Sequence, residues 1–255
     1  MRIPSLRRLA EVHTVTLFVT CMVDMLYPEV GEATVSLLES LGLEVTFPED
    51  QTCCGQPAYN AGYREDARTL ALRFLDVFEG ARVIVTPSGS CAAMIRHGYL
   101  DLLADDPVAF PRARALSERT WEFSQFLVEG LGAVDVGARF EGLVAYHDSC
   151  HLARALGVTR PPRELLRHVQ GAQLVELPGH DECCGFGGLF AVKMPEISSA
   201  MLARKLNHIA RCGANVIVTS DVSCMTQING GLRRARMPQR VWHLAHFLAA
   251  HRALK

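Results

Sequence analysis

The sequence predicts an α/β fold built as two duplicated parallel α/β units related by a pseudo-twofold. Three observations predict it. Short runs rich in valine and isoleucine alternate with amphipathic stretches of helix length, the pattern of strand–helix–strand units with a parallel sheet. The order of those runs is played through twice. Cys-Cys-Gly occurs at the same point of each round, as Cys53-Cys54-Gly55 and as Cys183-Cys184-Gly185.

Each element has its own signal. "TVTLFVTC" is an apolar run ending at Cys21, read as the first strand. "PEVGEATVSLLESLG" follows as a helix with proline at its start and a glycine stop at Gly42. "LEVTF" is a strand that leads to the first Cys-Cys-Gly. "GYREDARTLALRFLDVFEG" is an amphipathic helix closed by Gly80, "ARVIVT" a strand, and "PSGSC" a turn ending at Cys91. The second round reads "GLVAYHDSC" to Cys150, a helix "PPRELLRHVQGA", and a strand "QLVEL" before the second Cys-Cys-Gly. A helix "PEISSAMLARKLNHIARCGA", a strand "NVIVTS" and "DVSC" to Cys224 complete it. "WHLAHFLAAHRAL" reads as a closing helix. The seam is expected between Asp105 and Arg139, with "SERTWEFSQFLVEGLG" as a connecting helix. That gives a first unit over residues 1–137 and a second over 138–255. The expected topology is Rossmann-like.

Composition narrows the function. The chain has 255 residues, 49% apolar and 21% charged, which is globular composition rather than that of a disordered chain. The net charge of −1 and the lack of a polybasic block argue against a nucleic-acid partner. "MRIPSLRRLAEVHTVTLFVTC" faintly resembles a secretory leader, but Glu11 and His13 interrupt it, so Val15–Val19 reads as a buried strand. No stretch reaches the length of a membrane span. A cytoplasmic location is expected.

Nine cysteines are many for such a chain, and in a reducing compartment disulfides are disfavoured. Metal or redox use is the leading expectation. Eight of the nine fall into register: Cys21, Cys53, Cys54 and Cys91 in the first round, Cys150, Cys183, Cys184 and Cys224 in the second. Each follows a strand, and the carboxyl ends of parallel strands are where α/β folds build sites. Cys212 lies outside the register. Four thiolates can hold one zinc ion or an iron–sulfur cluster. Neither half has two short Cys-x-x-Cys knuckles, and adjacent cysteines suit a cluster, which offers separate irons, better than one ion.

The residues also carry a resemblance. Two copies of a cysteine followed at some thirty residues by Cys-Cys-Gly, then by another cysteine, resemble the cysteine-rich CCG domain family. That family includes the heterodisulfide reductase B subunit and the glycolate oxidase iron–sulfur subunit. "QTCCGQPAYNAGY", "PSGSCAAM", "HDSCHLAR" and "CCGFGGLFAVKMPEIS" resemble more narrowly the lactate-utilization protein A family, from about Thr14 to Ala249. The resemblance implies an iron–sulfur electron-transfer subunit of a complex oxidising L-lactate to pyruvate. It implies two partner proteins, one an iron–sulfur protein and one small. One [4Fe–4S] cluster per half is the expected cofactor. The fullest family pattern ends in Cys-x-x-Cys, whereas this chain has Ser88 and Asp221 in place of that fifth thiolate; both are expected as helix N-caps or turn residues.

Gly55, Gly185, Gly187 and Gly188 are expected to let the backbone approach the cofactor and donate N–H groups to its sulfurs. Their spacing does not fit G-x-G-x-x-G, so no dinucleotide site is expected. His147, Asp148, His151, His180, Asp181 and Lys193 flank the motifs as candidates for proton handling or for ordinary turn hydrogen bonds. His243 and His246 read as surface or core histidines. Two alternatives stay open: direct action on a thiol or disulfide substrate, and a structural zinc scaffold.

Overall fold

In the computed structural model, which describes residues 12–252, the strands form two four-stranded sheets, each entirely parallel. The first contains β1 (Thr14–Leu17), β2 (Glu44–Thr46), β3 (Ile84–Thr86) and β4 (Thr120–Glu122), in the order β2-β1-β3-β4. The second contains β5 (Arg139–Tyr146), β6 (Gln170–Val175), β7 (Val216–Thr219) and β8 (Arg240–His243), in the order β6-β5-β7-β8. The chain divides into two compact units between Gly132 and Ala133. The duplicated parallel α/β architecture is therefore present, strand for strand. The segment Met1–Glu11, which holds most of the leader-like stretch, lies outside the described residues.

Parallel strands covered on both faces should be continuously apolar. The centre of each sheet obeys this: Ile84-Val85-Thr86 is wholly buried, as are Ile217, Val218 and Thr219. The covering helices start and stop as their sequences dictate. Pro28–Ser40 begins on proline and buries Val30, Ala33, Leu37 and Leu38 on one face. Arg64–Phe78 buries Ala67, Ala71, Phe74 and Phe78; Pro195–Cys212 buries Ser198, Leu202, Lys205 and Ile209 with the same spacing, and Gly213 ends it at φ +71°. In the first unit Phe18, Phe74, Phe78 and Tyr99 form one aromatic core, with Phe18 edge-on to Phe74 at 5.1 Å and Phe74 stacked on Phe78 at 4.4 Å.

Three elements differ from expectation. The stretch expected as a connecting helix contains β4, the edge strand of the first sheet, followed by a short helix (Phe123–Gln125) and a wider turn of π type. The closing helix begins only at Leu244, because Trp242 and His243 belong to β8. The helix expected to run to Ala172 ends at Arg167, and β6 takes over from Gln170. The first two have one cause. A fourth parallel strand covers the exposed edge of β3 or β7, and three or four residues suffice for it. Among the described residues no helix is long and apolar enough to cross a membrane.

Candidate metal centre

In the order β2-β1-β3-β4 the chain leaves β1 toward one side and returns to pair on the other. The carboxyl ends of β1 and β3 therefore flank the crevice where open α/β sheets bind ligands. Cys21 opens the helix that follows β1, and Cys91 sits in the helix that follows β3. Cys53 and Cys54 lie in the loop beyond β2. The second unit repeats this with Cys150 after β5, Cys183 and Cys184 after β6, and Cys224 after β7.

The sulfurs gather. Cys21 Sγ lies 3.5 Å from Cys53 Sγ, and Cys54 Sγ lies 3.3 Å from Cys91 Sγ. The burial pattern is duplicated too: Cys54, Cys91, Cys184 and Cys224 are buried, while Cys21, Cys53, Cys150 and Cys183 are half-buried. All nine cysteines are free thiols, and Cys212 donates its thiol to the Ile209 carbonyl at 3.2 Å.

Neighbouring sulfurs in each quartet perturb one another. The hydrogen bond from Cys21, and then one from Cys54, brings Cys53 down to about 3, and Cys21 rises as the donor. In the second unit the hydrogen bond from Cys150, then one from Cys184, brings Cys183 down to about 2, and Cys150 rises. The buried members Cys54 and Cys184 are pushed well up, first by the neighbouring Cys53 or Cys183 and then by Cys91 or Cys224. Sulfurs this close cannot all be thiolates unless positive charge sits among them. Four soft sulfur donors are the donor set for iron–sulfur or zinc binding, so the residues present fit such a group.

The glycines behave as their motifs require. The Gly55 N–H points at Cys53 Sγ and the Gly185 N–H at Cys183 Sγ, each at 3.4 Å. Both residues are left-handed, at φ +83° and +88°. A Cβ on Gly185 would stand 2.6 Å from the Ser198 carbonyl oxygen, against 3.3 Å to Ala67 O for Gly55. Gly185→Ala is expected to cost about 3 kcal/mol, the left-handed penalty plus a backbone clash, and Gly55→Ala about 1 kcal/mol. Urea denaturation of the two variants checks the order. Gly187 and Gly188 also have positive φ, +51° and +61°, in the turn before the helix Leu189–Lys193. Thr20, just before Cys21, holds φ +76°, a strained setting for a β-branched residue and one often found beside functional groups.

Ser88 caps its helix by accepting from the Cys91 N–H at 3.2 Å. Asp221 occupies the matching N-cap position, but its carboxylate accepts from the Ser149 hydroxyl, the residue before Cys150. His151 Nδ1 stands 3.7 Å from Cys150 Sγ. Asp148 is buried and paired twice: Arg163 grips both its oxygens at 2.8 Å, and His180 Nδ1 donates to it at 2.6 Å. Asp181 and Lys193 are exposed. His243 is a buried cap that accepts from the Ala245 N–H, and His246 packs on the Trp242 ring; neither joins a quartet.

His147 is more telling. It is fully buried, its Nδ1 donates to the His180 carbonyl at 3.1 Å, and among the described residues its Nε2 has no nitrogen or oxygen partner and faces sulfur, lowering the Cys224 thiol after Cys184 does. Its ligating nitrogen and the sulfurs of Cys184 and Cys224 all lie within 4.8 Å of one another, the one such group of three among the described residues. Lys205 and Arg163 are site neighbours that sequence patterns leave among solvent-facing helical residues. A groove of 840 Å³ sits at the amino ends of β5 and β6, lined by Arg139, Arg167 and Arg252, opposite the cysteines.

Parallel α/β units with cysteine quartets at the sheet crevice define a class of cysteine-rich α/β proteins. The chain belongs to the CCG cysteine-rich domain family, whose pattern matches residues 15–96 and 144–229. Within that family it is closely related to bacterial lactate utilization protein A. It is 48% identical to that of Halalkalibacterium halodurans over 234 residues, covering 92% of this chain and 96% of the relative. It is 49% identical to that of an Exiguobacterium species, covering 92% and 96%. The Bacillus subtilis protein is 47% identical, with 92% and 98% covered. Among solved structures, a hypothetical protein from Helicobacter pylori matches with a TM-score of 0.68 at 12% identity, over 95% of this chain and 49% of that one. The chain thus spans about half the length of that structure, and the match bears on the fold alone.

Proposed function

We propose that the chain is an iron–sulfur electron-transfer subunit of a complex that oxidises L-lactate to pyruvate, with one [4Fe–4S] cluster held by each quartet. The observation that carries this reading is the duplicated cysteine quartet at the crevice of each sheet. The relatives named for lactate utilization supply the pathway. When bound, such clusters supply one-electron storage. The protein's own part is to hold four thiolates, to aim the Gly55 and Gly185 N–H groups at sulfur, and to shield the buried half of each site from water. The partners in this reading are two further lactate-utilization proteins, one an iron–sulfur protein and one small, and the setting is the cytoplasm. In this reading the chain relays electrons and need not itself hold the lactate.

A second reading has one specific observation in its favour. His147, Cys184 and Cys224 form a buried three-donor group of the kind that holds a single zinc ion. Metal analysis after anaerobic purification separates the two. About eight irons and eight labile sulfides per chain are expected, with an electron paramagnetic resonance signal on reduction. Stoichiometric zinc without sulfide would replace the electron-transfer reading with the structural one.

A further inference from the structure

The two quartets sit in matched frames with unmatched walls. The frames match on two counts. The residue after β1, Phe18, donates its N–H to Val85 of β3 at 2.9 Å; the residue after β5, His147, donates its N–H to Val218 of β7 at 2.8 Å. Phe18 and His147 are thus equivalent positions. Gly55 faces Ala67 and Leu70 of its helix, while Gly185 faces Ser198 and Met201, which aligns the two helices. In that alignment Phe74 corresponds to Lys205, and the buried faces agree residue by residue.

In the first unit the buried sulfurs of Cys54 and Cys91 belong to a hydrophobic cluster with Phe18, Ala67, Phe74 and Met94. In the second unit the same four positions are His147, Ser198, Lys205 and Gln227. His147 and Lys205 are both fully buried. They are anchored side by side, His147 Nδ1 on the His180 carbonyl and Lys205 Nζ on that of Gly179. Ser198 donates to the Gly185 carbonyl at 2.7 Å and accepts from Gln227 at 3.1 Å. A buried lysine at an apolar helix position is costly unless it has a task or a partner. Burial pushes the Lys205 ammonium down, and the Glu182 carboxylate and the Cys184 and Cys224 sulfurs pull it back up.

We infer that the second quartet holds its cluster at a higher reduction potential than the first, because Lys205 and His147 line it where Phe74 and Phe18 line the other, so that electrons collect in the second unit. The inference rests on the iron–sulfur reading proposed above. Reduction adds one negative charge to the centre. A buried cation favours that charge, and the low dielectric enlarges the effect, whereas an aromatic wall offers no compensating charge. Lys205 and His147 are positioning residues here: they act on the centre through its field and touch no substrate.

The test is a redox titration of the anaerobically reconstituted full chain, followed by electron paramagnetic resonance. Cys54→Ser isolates the second centre and Cys184→Ser the first. The second is expected to be reduced at the higher potential. Lys205→Met, made in the Cys54→Ser background, should lower its reduced-to-oxidised ratio at fixed ambient potential on the order of tenfold. Lys205→Arg should preserve that ratio, and His147→Phe should shift it downward. Should Lys205→Met fail to fold, the order of the two isolated centres and the His147→Phe shift decide the matter alone. Equal potentials, the reverse order, or an iron-loaded Lys205→Met protein titrating like its parent would overturn the inference. A wild-type chain without iron and sulfide would overturn the iron–sulfur reading itself, which is a separate result.

Discussion

Replacing Cys184 by serine is expected to remove about half the iron and labile sulfide from the chain and to abolish lactate-dependent dye reduction by the reconstituted complex. Cys184 is buried, and its neighbours Cys183 and Cys224 both hydrogen bond with it. A serine hydroxyl is a harder and far poorer donor for iron than a thiolate. Cys212→Ser is the matched control. It removes the same kind of atom from the same unit, yet that sulfur spends its hydrogen bond on the Ile209 carbonyl and belongs to no quartet. Iron, sulfide and turnover should be unchanged in it. Full iron content in the Cys184 variant, or equal loss in both, would remove these cysteines from the centre. The relay reading adds a sharper expectation: half the iron remains, but none of the turnover, because electrons must pass both centres.

The register of the cysteines was open to view because it is a pattern of spacing, and spacing survives without coordinates. Six strands were equally visible, since runs such as "VIVT" can be little else between helices. The edge strands β4 and β8 were not. "TWE" and "RVWH" are short, and each merges into an amphipathic stretch with a helical period. Glu122 deepens the disguise. It is fully buried, but as a cap that accepts from the Gln125 N–H at 3.1 Å, so its charge marks a strand-to-helix turn rather than a solvent face. Lys205 was hidden for a related reason. A lysine in a helix reads as solvent-facing, and only the match with Phe74 in the other unit shows that its position is a core one. Duplication thus gives the second unit an internal reference, and its departures from that reference are where its chemistry has been specialised.

The same comparison singles out Arg163, whose replacement by methionine is expected to be strongly destabilising although it lies outside the quartets. In the first unit the loop from β1 to Cys21 is tied to the loop before Cys53 by a neutral amide: Gln51 accepts from the Val19 N–H at 2.9 Å and donates to the Pro48 carbonyl at 2.9 Å. In the second unit the residue matching Val19 is Asp148, 2% exposed, and an ion pair does the tying. Arg163 meets it with two parallel bonds of 2.8 Å, lies over the Tyr146 ring at 5.2 Å, and reaches Glu176 at 3.2 Å. Burial works against the guanidinium charge, and the Asp148 carboxylate outweighs it, leaving Arg163 above its ordinary value. Removing the arginine leaves a buried carboxylate that, among the described residues, keeps the His180 side chain as its partner at 2.6 Å. Breaking such a pair from one side costs about 3 kcal/mol, or roughly 10 °C in the melting temperature of a unit this size. Gln51→Ala, which strands no charge, should cost about 1 kcal/mol. Asp148→Asn added to Arg163→Met should restore part of the loss, because it removes the stranded charge while keeping the shape. Urea denaturation of the metal-free full chain, followed by circular dichroism, measures all three without reference to the centre. If Arg163→Met costs no more than Gln51→Ala, or if the second substitution only adds to the damage, the ion pair is not what holds the Cys150 loop against the loop before Cys183.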